Sequence, residues 1–182
     1  MNPDLSALRD EPFDLLAALD QRLQEAKLDL AAGDAQFWTG LGFRLGEHWL
    51  VTPREDVREV IVPPPLTRVP GARPWLLGVA NVRGSLLPVC DLRRLLGEEH
   101  NTMARKSRIM VYNSDRVPAG FLVDEVAGYR QFSAAEQRRE LVNDSGPLKP
   151  YLLGGFVREA QPWLALSLHK VAASDAFSHA GF

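Results

Sequence analysis

The 182-residue sequence holds a single cysteine, Cys90. That excludes an internal disulfide and agrees with a reducing cytoplasm. No apolar run approaches the ~20 residues that a membrane-spanning helix needs. Basic charge is not in surplus: 21 Lys and Arg against 23 Asp and Glu give a formal charge of −2. A phosphate-binding surface, whose footprint is a basic patch, is therefore not expected. The opening Met1-Asn2-Pro3-Asp4 carries early acid and no basic stretch, so a secretory signal is not expected either. Histidine is sparse and scattered, at His48, His100, His169 and His179. None has a partner at metal-ligand spacing, which argues against a zinc site.

What is present suits a packed interior. Hydrophobic residues are 46% of the chain, too many for disorder, and the length fits one domain or two small subdomains sharing a core. Phe13, Leu16, Leu19, Leu23, Ala26 and Leu30 place an apolar stripe on one face of a helix. Pro12 suits its first turn and Gly33-Asp34 its end. The stripe can pack on the body of the protein or dock to a partner.

From Phe37 the texture turns to short β-type runs. Phe43–Leu45 and His48–Val51 flank Gly46-Glu47 as a hairpin, and Val57–Val62 has the alternation of a half-buried strand as far as Val60. Pro63-Pro64-Pro65 stops any ladder and reads as a stiff inter-strand loop rather than a polyproline ligand. Further strands are expected at Arg108–Tyr112, Ala119–Val123, Val126–Phe132, Tyr151–Arg158 and Trp163–Leu168. Ser133-Ala134-Ala135-Glu136 has the spacing of a capping box. Leu141–Pro150 is expected to be a mobile loop. Many short strands with frequent turns predict a mainly β small barrel or sandwich. A loose echo of Leu76-Leu77-Gly78 in Leu152-Leu153-Gly154, running on to Asp91-Leu92 and Ser167-Leu168, suggests two related halves.

The most informative stretch is residues 74–97. An apolar run reaches Asn81, turns at Asn81-Val82-Arg83-Gly84, and resumes through Leu86-Leu87-Pro88-Val89-Cys90. Asn and Gly tolerate the backbone angles of a tight turn, which puts Arg83 at a hairpin tip, pointing outward. Asp91 fits the N-cap of a short helix, Leu92–Leu96, closed by Gly97.

Catalytic constellations are missing. Cys90 sits in an apolar strand, where an inert thiol is the better reading. Asp124-Glu125 could pose as an acid/base pair, but neighbouring strand residues point to opposite faces and would not converge. Gly154-Gly155 lacks the lysine and helix of a phosphate loop. A β-barrel hydrolase is opposed by the missing nucleophile–base pair.

Several motifs, in order, resemble the CheW-like adaptor family from about Phe43 to Val171. They are Val57-x-Glu59-Val60, then Gly78-Val79-Ala80-Asn81-Val82-Arg83-Gly84, then Pro88-Val89-Cys90-Asp91-Leu92. Gly120-Phe121-Leu122-Val123-Asp124-Glu125-Val126, Tyr151–Gly155 and Leu164–Leu168 complete the set. Val82 stands for a commoner Leu and Cys90 for a commoner Ile or Val. Within the family, Leu66–Gly84 and the N-terminal helix are most similar to adaptors of pathways controlling type IV pili and twitching motility.

The resemblance implies two intertwined five-stranded SH3-like β-barrels over residues 36–174. A helical extension over 1–35 precedes them and a tail over 175–182 follows. It implies no cofactor, no metal and no catalysis. It also implies two partners: the cytoplasmic tip of a methyl-accepting chemoreceptor and the regulatory domain of a CheA-type histidine kinase, in an array or ring, with neither nucleic acid nor membrane insertion. The implied location is the cytoplasm, at membrane-associated polar receptor arrays. A flagellar-type chemotaxis coupling protein is the alternative within the family. On their own, Glu59 and Arg83 would read as solvated charges and Gly78, Gly84 and Gly120 as backbone requirements. The family pattern makes Arg83, Glu59, Asn81, Gly84, Val57 and Val79 receptor-binding positions, and Gly120, Val123 and Val126 receptor-groove or kinase contacts. For Val57, Val79, Val123 and Val126, core packing competes with that role.

Overall fold

The computed structural model describes residues 37–98 and 103–178; the amphipathic stripe expected at 13–30 lies outside them. Ten strands carry the described chain: β1 (Phe37–Leu45), β2 (His48–Pro53), β3 (Val57–Ile61), β4 (Leu76–Val82), β5 (Ser85–Asp91), β6 (Arg108–Tyr112), β7 (Gly120–Val123), β8 (Glu125–Ser133), β9 (Leu152–Arg158) and β10 (Gln161–Leu166). Short helices α1 (Leu92–Leu95), α2 (Glu140–Asn143), α3 (Leu168–Ala172) and α4 (Asp175–Ser178) join them.

The strands form two five-stranded sheets, ordered β8-β1-β2-β10-β9 and β3-β6-β7-β5-β4. From Phe37 the described chain therefore enters the first sheet, builds the whole of the second, and returns to finish the first. The halves repeat one plan. In each, a parallel pair joins a hairpin strand to the strand before a helix: β2 with β10 and β5 with β7. Asp91 caps α1 by accepting from the backbone N–H groups of Arg93 and Arg94, while Ser167 caps α3 by accepting from that of Lys170. The backbone N–H of Asp91 donates to Trp75 O at 2.7 Å and that of Ser167 to Tyr151 O at 2.9 Å. The echo heard in the sequence is this shared plan.

The alternation of the strands buries one apolar core built from both sheets. Phe43, Leu45 and Leu50 from the first meet Met110, Phe121 and Val123 from the second, with Leu92, Leu168 and Val171 of the helices. A smaller cluster of Ala80, Leu87, Val89, Ile109, Val111 and Leu122 fills the second sheet alone. Phe177 of α4 stacks on Trp75 at 5.7 Å, so the segment after residue 174 begins with a packed turn.

One expectation is overturned. Leu141–Pro150 is not an open loop: α2 ends in it and a 3-10 turn spans Gly146–Tyr151. Leu148 anchors that turn with 1% exposure. Only Asp144 and Ser145 of the Asn-Asp-Ser-Gly-Pro run form the break between the two helical turns. The capping box forms as read, with Glu136 Oε2 accepting from the Ser133 backbone N–H at 2.7 Å.

Candidate partner-binding site at the β4–β5 hairpin

The hairpin turn consists of Arg83 and Gly84, both in the left-handed region at φ 51° and 83°. Two consecutive positive φ values match the right-handed twist of the flanking strands. Glycine takes that conformation without strain; arginine accepts a cost there. Asn81 Oδ1 accepts the Gly84 N–H at 2.9 Å and locks the turn. The pairing Val82 with Ser85 closes it.

Held this way, the Arg83 side chain is 81% exposed and its Nη2 donates to Glu59 Oε2 at 2.7 Å. Glu59 comes from β3, at the opposite edge of the same sheet from β4. The sheet thus curls far enough for its two edges to meet through one ion pair. Beside β3 the alternation differs from the sequence expectation. Val57, Glu59 and Ile61 share the half-buried face, while Arg58 and the apolar Val60 face solvent. A register shift between Val57 and Glu59 accompanies this. A carboxylate on the inner face is tolerable because Arg83 reaches over the sheet end to meet it.

The remaining candidates divide. Val79 exchanges both backbone hydrogen bonds with Thr67 at 2.9 Å, so the loop after the triple proline seals the β4 edge. Val57 and Val126 pack part of their surface against the shared core. Gly120 and Val123 are buried in the strand β7. A Cβ at Gly120 would lie 2.6 Å from Ile109 Cγ2 and 3.0 Å from Leu87 Cδ2, so glycine there serves the close approach of β5, β6 and β7.

Cys90 is buried, and desolvation, with the neighbouring Asp91 charge, pushes its thiol up to about 12. It is a packing residue. Strand parity does not govern Asp124, which lies between β7 and β8 rather than within a strand, and both carboxylates approach one cation. Arg44 lies 3.9 Å from Asp124 and 3.6 Å from Glu125. Both carboxylates are engaged with that cation, which leaves no free acid/base couple. Among the described residues no group of three His, Cys, Asp or Glu could hold a metal ion, and no helix is long and apolar enough to cross a membrane.

Sequence reasoning missed Leu86, which is 70% exposed two residues beyond the turn. It sat in an apolar run and read as interior; the hairpin register, pairing it with the exposed Asn81, is what turns it out.

A model of the CheW-like domain matches residues 39–176. The chain belongs to the CheW-like family. It is similar to protein PilI of Pseudomonas aeruginosa, with 40% identity over 168 residues, 91% of this chain and 94% of that protein. The chemotaxis protein CheW of Thermotoga maritima is 34% identical over 105 residues, 58% of this chain and 68% of its own. FrzA of Myxococcus xanthus is 34% identical over 94 residues, 52% of this chain and 59% of its own. In fold, the crystal structure of the scaffolding protein TtCheW from Thermoanaerobacter tengcongensis superposes with a TM-score of 0.63 at 21% identity. That match covers 76% of this chain and 94% of the other. The two-sheet plan is therefore the CheW-like fold, and the Arg83–Glu59 hairpin is part of a CheW-like domain.

Proposed function

We propose that this CheW-like protein is a non-enzymatic adaptor that couples a methyl-accepting chemoreceptor to a CheA-type histidine kinase in the pathway controlling type IV pili and twitching motility. The observation that carries the reading is the near full-length similarity to PilI. Geometry supports it at the hairpin. An exposed guanidinium fixed by a locked turn, with an exposed leucine three residues on, offers a polar and an apolar contact on one rigid element. Arg83 makes the receptor contact, Glu59 and Asn81 set its direction, and Gly84 permits the turn. A second surface pairs with the kinase's regulatory domain. The working location is the cytoplasmic face of polar receptor arrays.

The deciding experiment is a pull-down from the protein's own cells with the full chain as bait. Recovery of a pilus-pathway receptor together with a CheA-type kinase supports the proposal. Recovery of flagellar-pathway partners instead transfers the protein to the other branch of the family, and recovery of neither refutes the adaptor reading.

A further inference from the structure

The chain passes between the sheets twice, from β2 to β3 and from β7 to β8. An aspartate sits at each passage, Asp56 at the first and Asp124 at the second. Their hydrogen bonds are long-range and join elements of different sheets. Asp56 Oδ2 accepts from the backbone N–H groups of Leu168 at 2.9 Å and His169 at 3.4 Å, at the start of the helix that follows the first sheet's β10. Its carbonyl accepts from Asn113 N–H, just after the second sheet's β6, at 2.9 Å. Asp124 Oδ2 accepts from the Gly46 N–H in the first sheet's β1–β2 turn at 2.7 Å. The same oxygen lies 3.8 Å from Arg93 Nη1, in the helix that follows the second sheet's β5. The Asp124 N–H donates to Arg44 O at 3.1 Å.

From this we infer that Asp56 and Asp124 are paired clasps that set the angle between the two sheets. The apolar core shared by the sheets holds them together, but apolar contact is non-directional and tolerates sliding. Charge-assisted hydrogen bonds to backbone N–H groups are directional, and at both passages they are shielded from water. Asp56 is 9% exposed, and the side chains of Asp124 and Arg93 are 18% and 17% exposed. Arg93 is itself held by Glu98 at 3.3 Å, so the Asp124 clasp closes on a fixed cation rather than a free one. Each aspartate is a positioning residue: it decides how the two sheets are presented to one another.

The test measures that angle directly. Spin labels at Ser85→Cys on the second sheet and Gln131→Cys on the first report one inter-sheet distance, and both positions are exposed. The buried Cys90 does not compete for the label. In the otherwise native chain a single narrow distance distribution is expected. Asp124→Ala is expected to shift and broaden it while the near-ultraviolet circular dichroism of the core aromatics stays native. If Asp124→Ala does not fold, Arg93→Ala decides on the same readout, since it removes the cation and leaves the Gly46 hydrogen bond. A distribution unchanged in a folded Asp124→Ala chain, or failing that in Arg93→Ala, overturns the proposal that the two aspartates act as paired clasps.

Discussion

Replacing Arg83 by alanine separates a folding role from a binding role, because the structure assigns the two very different magnitudes. The turn itself loses little. Alanine bears the same left-handed cost as arginine at φ 51°, and the Asn81 lock on Gly84 does not involve the side chain removed. What is lost on folding is one ion pair whose cationic side chain is 81% exposed. Exposed pairs are worth about 0.2–1 kcal/mol, which for a chain of this size moves the melting temperature by no more than about 4 °C. Loss of a charge-assisted hydrogen bond at an interface instead costs about 1.5–3 kcal/mol, roughly a 10- to 100-fold weaker affinity.

The assay pairs thermal denaturation with calorimetric titration of a receptor cytoplasmic fragment. Arg83→Ala should melt within a few degrees of wild type and bind at least tenfold more weakly. Glu59→Ala distinguishes a direct contact from an orienting one. If Glu59 acts by aiming Arg83, its loss weakens binding less than Arg83→Ala does, and the double variant binds like Arg83→Ala alone. Unchanged affinity in a folded Arg83→Ala chain would falsify the receptor role. A melting temperature lowered far beyond the exposed-pair range would show instead that the pair holds the two edges of the sheet together.

Three further outcomes follow from burial and charge. Cys90→Val should be nearly neutral and Cys90→Asp should abolish folding, since an unpaired carboxylate would be buried; rapid labelling of the native thiol contradicts this placement. Gly120→Ala should destabilise by about 1–3 kcal/mol through overpacking against Ile109 and Leu87, and chemical denaturation matching wild type would show that β5 and β6 give way freely. Arg158, and then the Ser133 N–H, lower the Glu136 carboxyl from its ordinary 4.5 to about 2. A depressed carboxyl stabilises the fold above its unfolded value and stops doing so as pH falls through its folded value. The stability gap between wild type and Glu136→Gln should therefore be full above about pH 5 and close towards pH 2, and a gap independent of pH across that window removes the Arg158 pair as its cause.

Local chemistry made most strands and the central hairpin legible. The apolar runs either side of Asn-x-x-Gly, the aspartate before Leu92 and the capping box at Ser133 each act over a few residues, and each formed as read. The outward arginine at the tip was readable for the same reason. Its partner was not: Glu59 is 24 residues away and meets Arg83 only because the sheet curls. Strand parity does not place Asp124 relative to Glu125, because parity holds within a strand and Asp124 lies between β7 and β8. At residues 141–150 turn-forming composition does not mean openness, because Leu148 and the 3-10 turn supply tertiary anchorage that composition does not encode.

The interlaced order of the sheets explains why the missed contacts cluster where they do. A chain that finishes one half only after building the other must cross between them twice, and each crossing is a short break in the ladder with backbone groups to satisfy. Local sequence can mark such a break but cannot say what will satisfy it, because the partners are separated by 78 residues for Gly46 and Asp124 and by 112 for Asp56 and Leu168. The hairpin strands, by contrast, are satisfied along one edge by the neighbour that each hairpin brings along with it. Alternation and turn chemistry therefore reveal the hairpins, while the polar contacts that orient one half against the other emerge only once both halves are folded. The residues that orient the halves are therefore the ones that motif reading is least able to find.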